Sequence, residues 1–193
     1  MSAPGTDRTI SFKDAMAGFP SGVTIVTTVD ENGRWWGFTA SSFCSLSMVP
    51  PLVLVCLSTA AECHPVFTTT TQWVVHVIHA DQADVAMRFA TRGADKFVGD
   101  VFRTDHRGLP RLDDAAVTLD CTMHATHAGG DHTILVGRVE QCYRGKRPPT
   151  VYAERAFHTL TRLSPAAHAL APRRVTAMAS TLESALRWLR EDP

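Results

Sequence analysis

Residues 37–58 decide the fold of this chain, and they read GFTASSFCSLSMVPPLVLVCLS. The stretch begins as the end of a strand, passes through a run rich in hydroxyl residues, breaks at Pro50-Pro51 and ends as an apolar strand. Small hydroxyl residues and exposed backbone N–H groups can hold a phosphate or a polar heterocycle. Because loops on a rigid scaffold carry binding sites, the stretch predicts a ligand site at its hydroxyl-rich loop.

The composition is that of an ordinary soluble globular protein. The chain has 193 residues, 45% of them hydrophobic and 20% charged, and 19 basic residues balance 19 acidic ones. This balance favours neither nucleic acid nor an anionic membrane as a partner. No apolar run approaches membrane-spanning length, and residues 1–8 lack the apolar core of a signal peptide. Five cysteines without paired spacing indicate reduced thiols, so we expect a cytoplasmic protein.

The first part of the chain predicts a helix followed by a β-hairpin. Apolar residues at helical spacing between Phe12 and Phe19 indicate a short amphipathic helix. Residues 23–29 and 34–40 favour strands, and the intervening residues 30–33 supply turn chemistry that ends in Gly33, a residue suited to positive φ. This hairpin leads directly into the hydroxyl-rich loop.

The rest of the chain predicts more strands with short helices between them. Strands are expected at 52–57, 73–79, 117–126, 132–140 and 150–152, helices at 65–70 and from Asp81, and an irregular segment at 92–110. At least six strands with short helices favour an antiparallel barrel over a parallel sheet. No glycine-rich strand-to-helix fingerprint is present, which disfavours a Rossmann fold.

The chain divides into three expected parts: a flexible tail at 1–11, one domain at 12–160, and a linker with a C-terminal helix at 161–193. Prolines and alanines from Ser164 to Arg174 indicate the linker. The helix is indicated by an apolar stripe at spacings of three and four, formed by Val175, Met178, Leu182, Leu186 and Leu189. This stripe either packs on its own dimer or docks a partner protein.

Four motifs follow one another along the chain: FPSGVTIVT at 19–27, GFTASSF at 37–43, PPLVLVCL at 50–57 and GDHTI at 130–134. In their order and spacing they resemble the motifs of the short-chain flavin reductases, and the resemblance covers about residues 12–158. It implies a homodimer of FMN-binding split barrels, each a six-stranded antiparallel Greek-key barrel. It also implies transfer of hydride from NADH or NADPH to FAD or FMN, with release of the reduced flavin to a partner two-component monooxygenase.

The resemblance also implies a site. His132 is expected to position the nicotinamide as the catalytic residue, and Ser58 and Thr59 are expected to approach the flavin phosphate. The cofactor-binding residues that the resemblance implies are Phe38, Thr39, Ala40, Ser41, Ser42, Cys56, Ser58, Thr59, His64, Arg88, Phe89, Ala90, Asp131, His132 and Tyr152. Hydride transfer requires two stacked rings, for which the protein supplies orientation rather than a nucleophile or a metal.

A metal site is not expected, although Cys121, His124, His127 and His132 lie close together in the sequence. Strand alternation places Cys121 and His124 on opposite faces, and the spacing of a zinc site is missing.

Several alternatives remain open from the residues alone. The hydroxyl-rich loop could be a capped turn, Arg88 a solvated cation and Tyr152 a core aromatic. The protein could be a pyridoxamine-phosphate-oxidase-like FMN oxidase or a flavin-binding module without turnover. No motif chooses between FAD and FMN, or between NADH and NADPH.

Overall fold

The structure is a computed structural model, and it describes residues 9–163. This part of the chain is mainly β. Its helices are α1 (Phe12–Ala17), α2 (His64–Thr69) and α3 (Ala83–Ala90), the last preceded by a 3₁₀ turn at Ala80–Gln82. Its strands are β1 (Ser21–Gly22), β2 (Thr24–Val29), β3 (Trp35–Ala40), β4 (Cys44–Ser47), β5 (Leu52–Ser58), β6 (Gln72–Val77), β7 (Phe102–Thr104), β8 (Pro110–Leu112), β9 (Val117–Gly129), β10 (His132–Arg144), β11 (Thr150–Ala153) and β12 (Ala156–Thr159).

Seven of these strands form one antiparallel sheet in the order β3-β2-β6-β9-β10-β5-β4. The other strands form a three-stranded sheet, β1-β11-β12, and a pair, β7-β8. The predicted mainly β fold with short helices is therefore confirmed. The expected six-stranded antiparallel Greek-key barrel is not confirmed, because within residues 9–163 the main sheet has seven strands and leaves β3 and β4 as its edges.

The predicted hairpin of β2 and β3 is present, and its turn is built as the sequence indicates. Gly33 has a φ of 76°, and the Asp30 carboxylate accepts hydrogen bonds from the backbone N–H groups of Asn32 and Arg34, both at 2.9 Å. The indole Nε1 of Trp36 donates to the same carboxylate at 2.9 Å. These bonds, that from Trp36 first, lower the pKa of Asp30. The turn thereby fixes the start of β3.

Short edge strands account for most differences from the predicted elements. The irregular segment predicted at 92–110 contains β7, the hydroxyl-rich loop contains β4, and β12 follows the last predicted strand. These strands have three or four residues, too few to show alternation of apolar and polar side chains. The predicted helix from Asp81 starts as a 3₁₀ turn, whereas the predicted helix after Pro65 is confirmed as α2. The linker and the C-terminal helix predicted after residue 163, and residues 1–8, lie outside the described residues, so the expected division of the chain stays a prediction.

The core consists of two clusters on the two faces of the sheet. Val26 belongs to the cluster around Phe67 and Trp73, and its neighbour Ile25 belongs to the cluster around Phe89. All five of these side chains are buried. Burial on both sides fixes the register of β2, since a slip of one residue would exchange the two faces.

Helix α3 approaches β3 closely because residue 37 is glycine. A Cβ on Gly37 would lie 2.6 Å from Cε1 of Phe89 and 2.8 Å from the carbonyl oxygen of Val26. The hydroxyl of Thr39 donates to the carbonyl of Ala86 in α3 at 2.5 Å. This close approach places the C-terminal end of α3 beside β3.

Candidate functional site

A cleft of about 310 Å³ lies where β3, the end of β5, the end of α3 and the start of β10 meet. Its walls combine aromatic and polar side chains, which is typical of sites for small ligands. The predicted site residues that line it are Phe38, Thr39, Cys56, Ser58, Phe89, Ala90 and His132. Four separate segments therefore bring about half of the predicted residues to one cavity.

The polar corner of the cleft joins the ends of two neighbouring strands. His132 is paired with Ser58 in the ladder between β10 and β5. Beside them, the backbone N–H and the hydroxyl of Thr59 both donate to the carbonyl of Asp131, at 3.0 and 3.1 Å. These bonds tie the β9–β10 turn to the end of β5, so the corner is held by backbone geometry.

The His132 ring is oriented by its neighbour. Its Nδ1 donates to the Asp131 carboxylate at 2.7 Å, and this hydrogen bond lowers the pKa of Asp131. Within the described residues, Nε2 has no protein hydrogen-bond partner. The second ring nitrogen is therefore available to a ligand in the cleft.

The remainder of the hydroxyl-rich loop does not line the cleft. Ala40 is buried in the core, and Ser41 is exposed. The hydroxyl of Ser42 accepts from the backbone N–H of Cys56 at 2.9 Å and donates to its carbonyl at 3.3 Å. This arrangement ties the loop to β5, as a capped turn would. The predicted contact of these three residues with a flavin stays a prediction.

Three further predicted residues lie outside the cleft lining and have partners of their own. Nε2 of His64 is hydrogen-bonded to the hydroxyl of Thr133 at 2.8 Å, and Nη1 of Arg88 donates to the carbonyl of Val98 at 2.8 Å. Tyr152 packs against the core cluster around Phe89. Thr59 and Asp131 support the polar corner without lining the cleft. The roles predicted for all these residues stay predictions.

The cleft also contains residues that the sequence interpretation did not include, Trp36, Gly37, Glu62, Arg92 and Lys96 among them. Lys96 donates through Nζ to the carbonyls of Phe89 and Thr91, at 2.8 and 3.0 Å. It thereby neutralises the C-terminal end of α3, and burial lowers the pKa of its ammonium group. The sequence offered one indication of this role, because Lys96 lies in the glycine-rich loop that directly follows the amphipathic helix predicted from Asp81.

The combination of aromatic and hydrogen-bonding side chains in the lining suits a flat heterocycle with polar edges. Trp36 is partly buried and supplies aromatic surface, the almost fully buried rings of Phe38 and Phe89 complete the lining, and Ser58, Lys96 and His132 supply hydrogen-bonding groups. In residues 9–163 no three His, Cys, Asp or Glu side chains are grouped to hold a metal ion. Among the same residues, no helix has the length and hydropathy needed to span a membrane.

The buried thiols do not contribute a nucleophile. Burial raises the pKa of Cys63 to about 11 and that of Cys121 to about 12, so both stay protonated near neutral pH. Of these two thiols only Cys63 lines the cleft.

The fold is an open antiparallel sheet, and the cleft at one end of it is lined by aromatic and polar side chains. The chain belongs to the family described as "Flavin reductase like domain", whose model matches residues 16–161. The family predicted from the four motifs is thereby confirmed.

Curated relatives support the same family. The "Actinorhodin polyketide dimerase" of Streptomyces coelicolor is 46% identical over 149 residues, which cover 77% of this chain and 84% of that protein. The "NADH:riboflavin 5'-phosphate oxidoreductase" of Streptomyces pristinaespiralis is 41% identical over 159 residues, covering 81% and 90%. The "Flavin-dependent monooxygenase, reductase subunit HsaB" of Mycobacterium tuberculosis is 35% identical over 140 residues, covering 72% and 73%.

A solved structure shows the same fold. The Streptomyces globisporus C-1027 "NADH:FAD oxidoreductase SgcE6 in complex with NAD and FAD fragments" superposes with a TM-score of 0.71 at 33% identity, covering 79% of this chain and 91% of that one.

Proposed function

We propose that this chain is an NADH-dependent flavin reductase, which transfers hydride to FAD or FMN and releases the reduced flavin to a partner monooxygenase. The observation that carries the proposal is the cleft in which an oriented histidine, His132, lies beside aromatic walls. Relatives named as an oxidoreductase for NADH with riboflavin 5'-phosphate or with FAD support the reaction. The relative named as a monooxygenase reductase subunit supports the partner.

The residues of the cleft have distinct tasks in this reaction. When bound, the nicotinamide supplies a hydride that the flavin ring accepts. Phe38 and Phe89 shape the walls of the cleft, and Nε2 of His132 holds the nicotinamide. The Lys96 ammonium places a positive charge beside the cleft and stabilises negative charge that develops there.

We further propose that two copies of the chain assemble as a homodimer in which the split barrels are completed. Exposed apolar side chains cluster at the β4 edge of the sheet, with Leu46 51%, Met48 57% and Val49 93% exposed. An unpaired edge with an apolar surface is protected when a second copy covers it. Sedimentation measurements of the molecular mass test this assembly. All five cysteines are free thiols, which supports a reducing, cytoplasmic location.

A second candidate function rests on the relative at 46% identity, which is named for a polyketide. In this alternative the chain acts on a polyketide directly.

Steady-state oxidation of NADH tests the proposal, with FAD and FMN added separately to dialysed protein. We expect oxidation that depends on added flavin and protein that dialysis leaves colourless. A protein that keeps a yellow cofactor and ignores NADH is a binding module or a different oxidase. Absence of flavin-dependent turnover contradicts the proposed function.

A further inference from the structure

An ion pair joins two walls of the cleft. Glu62 belongs to the wall formed by residues 60–63, between β5 and α2, and Arg92 belongs to the wall that continues from the end of α3. Nε of Arg92 lies 3.5 Å from Oε1 of Glu62, and the two side chains are 80% and 46% exposed. The pair therefore lies on the side of the cleft that faces solvent, and it crosses the mouth of the cleft.

The wall that carries Glu62 is fixed to the body of the protein. The backbone N–H of Ala61 donates to the carbonyl of Ser58 at 3.0 Å, which continues the wall directly from the end of β5. The next residue after Glu62 is Cys63, which is buried in the core cluster around Phe67. Glu62 therefore presents its carboxylate from a backbone that is held on both sides.

The segment that carries Arg92, residues 92–95, is held only at its ends. Before it, the hydroxyl of Thr91 donates to a carbonyl of α3 at 2.8 Å. After it, the ammonium group of Lys96 donates to the carbonyl at the end of the same helix and to that of Thr91. Within residues 9–163, the segment makes no hydrogen bond, and the pair with Glu62 is its one ion pair. It can therefore change position while α3 and Lys96 stay in place.

Gly93 gives this segment a backbone that can move. Its φ is 73°, and a Cβ at this position would meet no atom within 4 Å. Glycine reaches both signs of φ at little cost, so a change of conformation here meets neither strain nor a neighbouring group. An exposed ion pair contributes little free energy and is screened by salt. A contact of this strength slows the opening of the mouth by a small factor and does not prevent it.

We propose that Glu62 and Arg92 form a latch across the mouth of the cleft, and that this latch sets the rate at which flavin enters and leaves. The inference rests on the proposed function, because a reductase that passes reduced flavin to a partner must open its cleft in each turnover. The latch joins one wall to the other and does not contact the ligand. Its loss therefore speeds entry and exit together, and the Kd for flavin changes less than either rate.

The experiment measures the entry and exit of FMN by stopped-flow fluorescence on the full-length protein. Glu62→Gln, Arg92→Gln, the double variant, and the charge exchange of Glu62→Arg with Arg92→Glu are compared with the wild type. Arg103→Gln is the matched control. Arg103 pairs with Asp113 at 2.8 Å, their side chains are 70% and 45% exposed, and neither residue lines the cleft.

We expect each single variant to raise both rates about two- to fivefold at low salt, which is the effect of losing an exposed ion pair. The double variant should be no faster than either single variant, because the same interaction is lost in all three. The charge exchange should return both rates towards the wild-type values, and Arg103→Gln should leave them unchanged. Added salt should speed flavin exchange in the wild type more than in the variants.

Several results overturn the latch. Rates that stay at wild-type values in both single variants remove its effect, and additive effects in the double variant show that the two residues act independently. An effect confined to Arg92→Gln, without recovery on charge exchange, shows that the guanidinium contacts the flavin itself. Failure of the proposed function is distinct, since it appears as wild-type protein that exchanges FMN but does not oxidise NADH. Wild-type protein that does not bind FMN contradicts both.

Discussion

His132 lies directly opposite Ser58 in the ladder between β10 and β5, and both residues line the cleft. The pairing brings the GDHTI motif to the end of the strand that follows Pro50-Pro51. The bonds from Thr59 to the carbonyl of Asp131 hold this pairing in place. The residue predicted for the flavin side, Ser58, and the residue predicted for the nicotinamide side, His132, are therefore fixed to one another by backbone pairing.

Replacement of His132 by alanine removes an imidazole ring that lines the cleft. We expect the KM for NADH to rise about tenfold, and more than the KM for flavin, because one hydrogen bond to the nicotinamide is lost. His132→Gln should restore part of the loss, since an amide can donate at a similar position. The matched control is His124→Ala, an exposed histidine of β9 outside the cleft. Unchanged KM values in His132→Ala contradict the positioning role.

Ser42 and Ser58 should respond differently to replacement by alanine. The hydroxyl of Ser42 bridges the backbone of Cys56, so Ser42→Ala should cost about 1 kcal/mol in the free energy of unfolding and leave flavin KM nearly unchanged. Ser58 lines the cleft, so Ser58→Ala should raise flavin KM several-fold with little loss of stability. Urea unfolding and steady-state kinetics measure the two effects. A large rise in flavin KM for Ser42→Ala would instead support the predicted flavin contact of the loop.

Gly37→Ala should disturb both stability and the cleft. The new Cβ would meet the carbonyl oxygen of Val26, which cannot move without shifting β2, and the ring of Phe89. We expect a loss of roughly 1–3 kcal/mol in the free energy of unfolding and a raised flavin KM as Phe89 is displaced. Gly22→Ala is the control, because a Cβ there meets no atom within 4 Å. Equal stability of the two variants would contradict the close approach of α3 to β3.

His76 makes the stability of the fold depend on pH. Burial lowers its pKa to about 3, and the neutral ring is fully used: Nδ1 donates to the carbonyl of Ile25, and Nε2 accepts from the backbone N–H of Leu112. The unfolded state therefore binds more protons than the folded state below the ordinary histidine pKa of 6.5.

The contribution of His76 to stability is complete above pH 6.5 and falls as the pH is lowered towards 3. The expected slope is about 1.4 kcal/mol per pH unit. Urea unfolding between about pH 8 and pH 5 measures it. His76→Gln, which cannot be protonated, should have a shallower slope than wild type. Identical slopes would show that other groups cause the pH dependence.

The sequence predicted those parts of the fold that are encoded locally. The β2–β3 hairpin was predictable because strand-favouring residues flank a turn that ends in Gly33. The apolar run of β5 was predictable because it is long and buried on alternate positions. Strand β4 was missed because its residues are largely exposed, and only its pairing with β5 makes it a strand.

The site was predictable where a motif carried it and not where tertiary packing creates it. His132 lies in a motif of the resembled family and Ser58 directly follows another, and the structure places both in the lining of the cleft. Lys96 was missed because its position depends on the carbonyls at the end of α3. Gly37 lies in a motif, but its close contact with Phe89 was not predictable from the sequence, because the two residues belong to β3 and α3, which are far apart along the chain.

In the proposed reaction the cleft orients a nicotinamide and a flavin for direct hydride transfer. Anaerobic mixing of the protein with flavin and with NADH that carries deuterium on one face of the nicotinamide C4 tests this orientation. We predict a primary isotope effect on flavin reduction for one face only, because a fixed corner at His132 presents a single face to the flavin. Equal transfer of deuterium from both faces, or no flavin reduction, would contradict the account.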